Sequence, residues 1–172
     1  MTREEWINHG LSALDASGPD ALSLAALAAR AGVTKGSFYH HFSDQNAFLS
    51  AMALRWAERT AEAIAGALSK PPEARAPAPV ALTEALDLRL EAAMRALGAA
   101  EPAVAAVIAQ ADIGRVALLA SAQDDPESGA ALDYARIEYA AVIGLAMRAA
   151  SADEARRLSA LMAEMTSAHW NE

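Results

Sequence analysis

Residues 32–42 read GVTKGSFYHHF, a glycine-led turn followed by polar and aromatic side chains on what the pattern predicts to be one short helix. Lysine, serine, tyrosine and two histidines are a mixture that an apolar core does not accommodate. Two histidines next to each other in sequence are also not the spacing of a common metal site. The stretch therefore predicts an outward surface that binds something other than the protein's own core.

Helical periodicity predicts which way this surface faces. With Phe38 on the buried side and 100° per residue, Gly36 and His40 fall almost opposite, and Ser37 and Tyr39 fall on the flanks. Backbone N–H groups near a helix start bind phosphate oxygens, and hydroxyl and imidazole groups contact phosphates and base edges. The predicted buried side also holds Thr34, His41 and Phe42. The pattern thus favours DNA contact over an ordinary solvated face, while for His41 a hydrogen-bonded core position stays open.

The preceding residues predict a second helix that braces the first. Ser23 is a good N-cap, the leucines and alanines after it face inward, and Gly32 stands where a left-handed turn residue is expected. A helix over 23–31, a turn and a helix over 34–42 make a helix-turn-helix at 23–42. An earlier helix starts at residue 2 or 3, since Thr2 and Glu5 have capping-box spacing.

The rest of the chain predicts further helices. A long helix begins at Ser43 or Asp44 and ends near Leu68, and a proline-rich connector at 71–79 follows it. Beyond the connector the leucines from 82 to 97 recur at helical period as one run, and a bend is expected near Gly114. Asp125 and Pro126 predict the start of another helix. We expect an all-α chain of about nine helices with no strand.

Composition excludes several classes of protein. The 172 residues contain no cysteine, so disulfides and thiolate metal sites are excluded, and no nucleophile-elbow, zinc-protease or Walker motif predicts an enzyme. No signal peptide and no uninterrupted apolar run of membrane-spanning length is evident, so we expect a cytoplasmic protein with no membrane partner. The net charge is −8, but residues 1–60 carry five basic against six acidic groups. That balance permits DNA binding at the N-terminus.

The run LSLAALAARAGVTKGSFYHHFSDQNAFL, residues 22–49, closely resembles the N-terminal DNA-binding module of the TetR/AcrR transcription regulators. The resemblance implies a three-helix DNA-binding head at 1–46 and a helical domain at 47–172 that dimerises and binds a small-molecule effector. It also implies a sequence-specific regulator of a double-stranded DNA operator, most simply a repressor that the effector releases. The site residues that it carries over are Ser23, Thr34, Lys35, Gly36, Ser37, Tyr39, His40 and His41.

Two further expectations concern partners. Alanine- and glycine-rich faces make the helices near 127–150 and 153–170 candidates for a two-fold four-helix interface of a homodimer, although packing within one chain is the alternative. Gln45 and Asn46 stand where the family usually has lysine. This departure leaves open a helical ligand sensor or adaptor whose DNA-binding head is retained but weakened.

Overall fold

The computed structural model describes residues 1–71, 74–123 and 128–169. Within these ranges the chain forms nine α-helices, one 3₁₀ turn (Pro19–Leu22) and no strand, which confirms the predicted all-α class. The helices are α1 (Arg3–Ser17), α2 (Leu24–Ala31), α3 (Lys35–Tyr39), α4 (Gln45–Leu68), α5 (Ala78–Ala85), α6 (Leu88–Ala100), α7 (Pro102–Ser121), α8 (Gly129–Met147) and α9 (Ala152–His169).

The chain packs into two compact units. Residues 1–58 and 93–110 form the first, and residues 59–92 and 111–172 form the second. Three helices, α4, α6 and α7, contribute residues to both units because each is continuous across a division point. The predicted boundary of the DNA-binding head between residues 46 and 47 stays a prediction.

The first unit begins with the capping box that the sequence predicted. The Glu5 backbone N–H donates to Thr2 Oγ1 at 3.2 Å, and the Thr2 N–H donates back to Glu5 Oε2 at 2.7 Å. This reciprocal pair satisfies two N–H groups that a helix start otherwise leaves without a partner. The apolar stripe of α1 is fully buried and includes Trp6 and Leu14.

The helix-turn-helix is formed as predicted, by α2, a tight turn and α3. Ser23 caps α2, since its hydroxyl accepts from the Ala26 N–H at 3.3 Å. Gly32 ends α2 with φ +66°, a left-handed conformation that glycine adopts without a Cβ penalty. The Val33 N–H returns to the Ala28 carbonyl at 3.1 Å, which fixes where the chain leaves the turn.

The second unit differs from the sequence expectation at two places. The leucine run is interrupted at Leu86, whose backbone is extended (φ −96°, ψ 133°), and Asp87 starts α6 by accepting from the backbone N–H groups of Arg89 and Leu90 at 3.1 Å. The bend expected near Gly114 was wrong, because α7 runs unbroken from Pro102 to Ser121. Asp125 and Pro126 lie outside the described residues, and α8 begins at Gly129 with Ser128 as its N-cap.

A charged cluster lies within the apolar core of this unit. Arg115 is 1% exposed, and its Nη1 donates to both carboxylate oxygens of Glu91, at 3.1 and 3.2 Å, and to Tyr139 Oη at 3.1 Å. Nη2 donates to Thr60 Oγ1 at 2.5 Å, while the Tyr139 hydroxyl donates to Asp112 at 2.5 Å. Burial raises the pKa of Tyr139. A buried ion pair is stable only when such hydrogen bonds replace the lost hydration.

A second buried carboxyl group, Glu138 on α8, has a simpler environment. Its Oε2 accepts from Gln123 Nε2 at 3.4 Å. Burial raises the pKa of Glu138 to about 7, and the amide hydrogen bond opposes that shift. The group therefore titrates in the folded protein near neutral pH.

One helix among the described residues, α7, is long and apolar enough to cross a membrane by length and composition. A core helix of a water-soluble protein satisfies the same test, so this property is weak evidence for a membrane span. The helix also carries Asp112 and Arg115, whose side chains join the charged cluster of the second unit.

We expect opposite effects from two glycine-to-alanine substitutions. A Cβ at position 10 would lie 2.5 Å from Phe48 Cζ and 2.9 Å from Met52 Sδ, so Gly10→Ala overpacks the first unit and costs about 1–3 kcal/mol of unfolding free energy. Gly66→Ala, on an open face of α4, stabilises by up to about 1 kcal/mol because glycine is a poor helix former. Urea unfolding at equal protein concentration measures both, and equal stability of Gly10→Ala and the native protein would contradict the packing described.

Glu138 predicts a pH-dependent stability. Because its folded pKa of about 7 lies above its unfolded value of 4.5, the folded state binds the proton more tightly. The stabilisation is complete below pH 4.5 and is lost as the pH rises through 7. Glu138→Gln lacks this titration, so its melting temperature relative to the native protein should rise between pH 5 and pH 8. A constant difference over this range would show that the carboxyl group is not desolvated.

Candidate nucleic-acid interface

The orientation of α3 depends on one buried ring, that of Phe38. This side chain is 1% exposed, and its ring centroid lies 5.4 Å from that of Trp6, 5.2 Å from that of Phe42 and 5.4 Å from that of Phe48. The Trp6 and Phe48 rings meet it edge to face, the geometry that aromatic quadrupoles favour. With Phe38 held on three sides, the opposite face of α3 is turned to solvent.

That outward face carries most of the predicted site residues. Tyr39 is 60% exposed, and Lys35, Gly36 and His40 are also exposed, whereas Ser37 is half-buried on the flank. A Cβ built on Gly36 would meet only Thr34 Oγ1, at 3.6 Å, so the backbone is open on this side. The face therefore combines a cation, hydroxyl and imidazole groups and accessible backbone, which are the groups that bind phosphates and base edges.

Thr34 differs from the expectation that it lies toward the buried side. Its side chain is exposed. It is the N-cap residue of α3 by position, yet its hydroxyl makes no capping hydrogen bond, so its polar atoms face solvent. This placement adds a hydroxyl group to the outward face.

Two predicted site residues also have local structural partners. The Ser23 hydroxyl caps α2, and a ring nitrogen of the half-buried His41, Nε2, lies 2.8 Å from the Met1 carbonyl oxygen. His41 is thus half-buried and hydrogen-bonded, but its partner is the carbonyl of the exposed Met1 and not a group of the core. Contact of either residue with DNA stays a prediction. Within 1–71, 74–123 and 128–169, no three side chains of the metal-ligating types come together.

The helix α3 is shorter than the helix predicted over residues 34–42. It ends at Tyr39, and the next residues continue as a turn in which the His41 and Phe42 N–H groups both bond to the Phe38 carbonyl, at 2.9 and 3.0 Å. Phe42 is buried by this turn. A five-residue helix followed by this turn still places His40 outward.

The start of α4, where the family usually has lysine, carries no cation. Asp44 Oδ1 accepts from the Ala47 N–H at 2.7 Å, and this bond, together with one from the Ser43 hydroxyl, holds the pKa of Asp44 below its usual value. Gln45 Nε2 donates to the Leu22 carbonyl at 3.4 Å, so Gln45 ties α4 to the start of α2. The Asp44 carboxylate therefore gives the start of α4 a negative charge.

One cation that contacts the segment after α3 is not part of the sequence motif. The guanidinium group of Arg3 lies over the ring of Phe42, with Cζ 5.3 Å from the ring centroid. The helical pattern of residues 34–42 could not predict this cation, because Arg3 is at the start of α1. Only the tertiary fold brings it to the end of α3.

Comparison with known proteins gives the same assignment for the head. Residues 3–52 match the family described as bacterial regulatory proteins, tetR family. A search of curated proteins gives no match.

Solved structures share the fold over nearly the whole chain. A transcriptional regulator from Rhodococcus sp. Rha1 superposes with a TM-score of 0.78 at 21% identity, covering 96% of this chain and 95% of the other. A protein described as a TetR-family transcriptional regulator from Mesorhizobium loti MAFF303099 gives 0.72 at 18% identity, covering 95% and 93%. Reduced NemR from E. coli gives 0.72 at 23% identity, covering 94% and 95%.

At these identities the structural matches establish the fold, and the family assignment rests on the head. The matched segment contains α1, α2, α3 and the first turns of α4, which together build the face described above. The head of the chain, residues 3–52, is thus similar to the TetR family of bacterial regulatory proteins, and the whole chain shares the fold of solved transcriptional regulators.

Proposed function

We propose that the protein is a homodimeric, sequence-specific repressor whose affinity for a double-stranded DNA operator falls when a small-molecule effector binds. The observation that carries this proposal is the solvent-facing set of donors on α3, held in place by the buried Phe38 ring. No packing reason accounts for exposing an aromatic residue and a glycine on this short helix and an imidazole directly after it. A DNA groove accounts for all of them.

The roles of the site residues follow from their positions. We assign phosphate contacts to Lys35 and Thr34, at the start of α3, and close approach of the backbone to the duplex to Gly36. We assign contacts with base edges in the major groove to Tyr39, His40 and the flanking Ser37. Ser23 and His41 stand at the edges of this surface and are proposed backbone contacts.

Exposed apolar side chains on α8 and α9 support the homodimer. Ile137 and Met147 on α8 are 58% and 55% exposed, and Leu161 and Met165 on α9 are 51% and 68% exposed. Large apolar groups exposed on two helices that pack against each other are consistent with an interaction surface. The proposed interface at 127–150 and 153–170 corresponds to α8 and α9. Residues 127 and 170 themselves lie outside the described residues.

The second unit offers space for an effector. A half-open surface pocket of about 390 Å³ is lined by residues from the α5–α6 and α8–α9 junctions, and we propose it as the place for an effector. Leu86 and Leu88 supply apolar wall, and four charged groups surround them: Glu84, Asp87, Arg89 and Arg156. An effector would act only through a difference in its affinity for two arrangements of the chain. The continuous α4 is the element we propose to carry that change to the head.

Two absences belong to the same proposal. We propose that the protein is not an enzyme and carries no metal or cofactor, because its sequence has no cysteine and no nucleophile-elbow, zinc-protease or Walker motif. A catalytic site would require a nucleophile, a base and an orienting group that converge on one point. We also propose a cytoplasmic location without membrane contact, since the described charged residues of α7 are satisfied inside the second unit.

One observation favours a second function, a helical ligand sensor or adaptor with a weakened head. The start of α4 is acidic, and Gln45 is bonded internally to Leu22, so the phosphate contact that the family's lysine makes has no replacement there. The two functions differ in DNA preference. A repressor binds its operator far more tightly than random duplex, by a factor of 10³ or more, whereas a weakened head shows little preference and a steep salt dependence.

Footprinting on the DNA upstream of the gene, at 150 mM salt, tests the proposal directly. A repressor protects a short, two-fold symmetric site, and deletion of the gene raises expression of a reporter driven by that DNA. Equal affinity for upstream and random duplexes would favour the sensor. Loss of protection on adding a bound small molecule would establish release by an effector.

We expect His40 and His9 to separate DNA recognition from stability. His40→Ala removes an outward imidazole, so specific binding should weaken by about 1–3 kcal/mol per head, with unfolding unchanged. His9→Ala removes a ring whose Nε2 lies 3.2 Å from the part-buried Leu27 carbonyl, so stability should fall by about 1–3 kcal/mol. Fluorescence anisotropy with operator and random duplexes, together with urea unfolding, measures both. Undiminished operator preference in His40→Ala would remove it from the interface.

The homodimer predicts a charge substitution that separates the subunits. Ile137→Asp buries a carboxylate at both copies of the interface, and a loss of ~2 kcal/mol at each raises the dimer dissociation constant several hundred-fold. Leu54→Asp is the control, since Leu54 is 52% exposed on α4, within the first unit. Sedimentation velocity measures the mass of both variants. A dimeric Ile137→Asp protein, or a monomeric Leu54→Asp protein, would place the interface elsewhere.

A further inference from the structure

The first residues of the chain contact the segment that follows α3. His41 Nε2 is 2.8 Å from the Met1 carbonyl oxygen, and the Arg3 guanidinium lies over the Phe42 ring. Phe42 in turn packs on Phe38, with 5.2 Å between the ring centroids. Arg3 is exposed, and its guanidinium group is held at Phe42, three residues after the end of α3.

The acidic neighbours of Arg3 bind other groups. Glu5 accepts from the Thr2 backbone N–H at 2.7 Å, and Glu4 lies 3.6 Å from Arg55, which also pairs with Glu58. Among the described residues, no carboxylate lies within 4 Å of the Arg3 guanidinium. Its charge is available to a partner outside the chain.

Stability does not account for a cation at this position. Arg3 is the first residue of α1, and the helix dipole disfavours a positive charge at a helix start. The attraction between the guanidinium and the Phe42 ring offsets part of that effect, as an exposed cation–π pair does. A neutral side chain would serve the helix at least as well, so the charge needs another explanation.

We propose that Arg3 is a phosphate-binding residue of the DNA interface and supplies the positive charge that the start of α4 lacks. The inference rests on the proposed function. Phe42 orients the guanidinium group, and a bidentate fork suits a phosphate oxygen pair. Such a contact adds affinity and salt dependence without adding sequence preference.

The salt dependence of DNA binding tests this role. For native protein, Arg3→Gln, Arg3→Lys and Lys70→Gln, affinity is measured on the upstream duplex and on a random duplex of the same length between 50 and 200 mM salt. Each lost phosphate contact lowers the slope of log affinity against log salt by about 0.9, so a two-headed complex of Arg3→Gln loses about 1.8. The affinity ratio of native protein to variant then shrinks about 12-fold over that range.

The control variants distinguish an effect of the charge at Arg3 from an effect of the net charge of the protein. Lys70→Gln removes one charge from an exposed position in the second unit and should keep the native slope. Arg3→Lys keeps the charge and should recover most of the slope, and Arg3→Gln should melt within about 2 °C of the native protein because the charge is not needed for folding. Sequence preference should be unchanged in all variants.

Three outcomes overturn the inference. If Arg3→Gln has the same slope of log affinity against log salt as the native protein, Arg3 does not belong to the interface. The proposed function still stands in that case, provided that the native protein prefers its operator. An equal loss in Lys70→Gln shows that only net charge matters. Native protein without any operator preference defeats the proposed function, and the role of Arg3 in it is then overturned as well.

Discussion

The burial of Phe38 among Trp6, Phe42 and Phe48 is the interaction on which the proposed DNA-binding face depends. A five-residue helix is far below the length at which helices form on their own in water, so α3 exists because its side chain is held by the rest of the head. Ring pairs of this kind contribute about 0.5–1.5 kcal/mol each beyond the area they bury. The same contacts that stabilise α3 also determine which of its residues meet solvent, so stability and recognition are coupled at one side chain.

The helix starts at Thr2, Ser23 and Ser151 were predictable from the sequence because their cause is local. At each of these starts a hydroxyl group accepts a hydrogen bond from the backbone N–H three residues later. That spacing can be recognised in a single sequence. The break at Leu86 was not predictable, because the leucine period continues on both sides of it and Leu86 is buried in either case. The side chain of Asp87 decides the break, and an aspartate within an apolar run is equally compatible with an exposed helical position.

The outward face of α3 was predictable for the same reason, since its periodicity is local and Phe38 sets its phase. Contacts between distant positions were not predictable. The distance between Arg3 and Phe42, and that between Met1 and His41, depends on how α1 packs across the head. The same holds for the buried pair of Arg115 and Glu91, which a helical pattern would place at a helix surface. Buried charge is a property of the assembled core, where hydrogen bonds replace water.

The distribution of charge explains how a chain of net charge −8 is compatible with DNA binding. In the head, Glu5 serves the start of α1, Asp44 serves the start of α4 and Glu4 pairs with Arg55, so these carboxylates are engaged in structure. At physiological salt an exposed charge acts over about 8 Å, which makes the local surface more important than the sum. On the outward side of α3 the exposed charge is Lys35, and a duplex approaching that side meets a cation and neutral donors. Net acidity then opposes nonspecific adhesion to DNA elsewhere on the chain, so attraction is restricted to the proposed DNA-binding face.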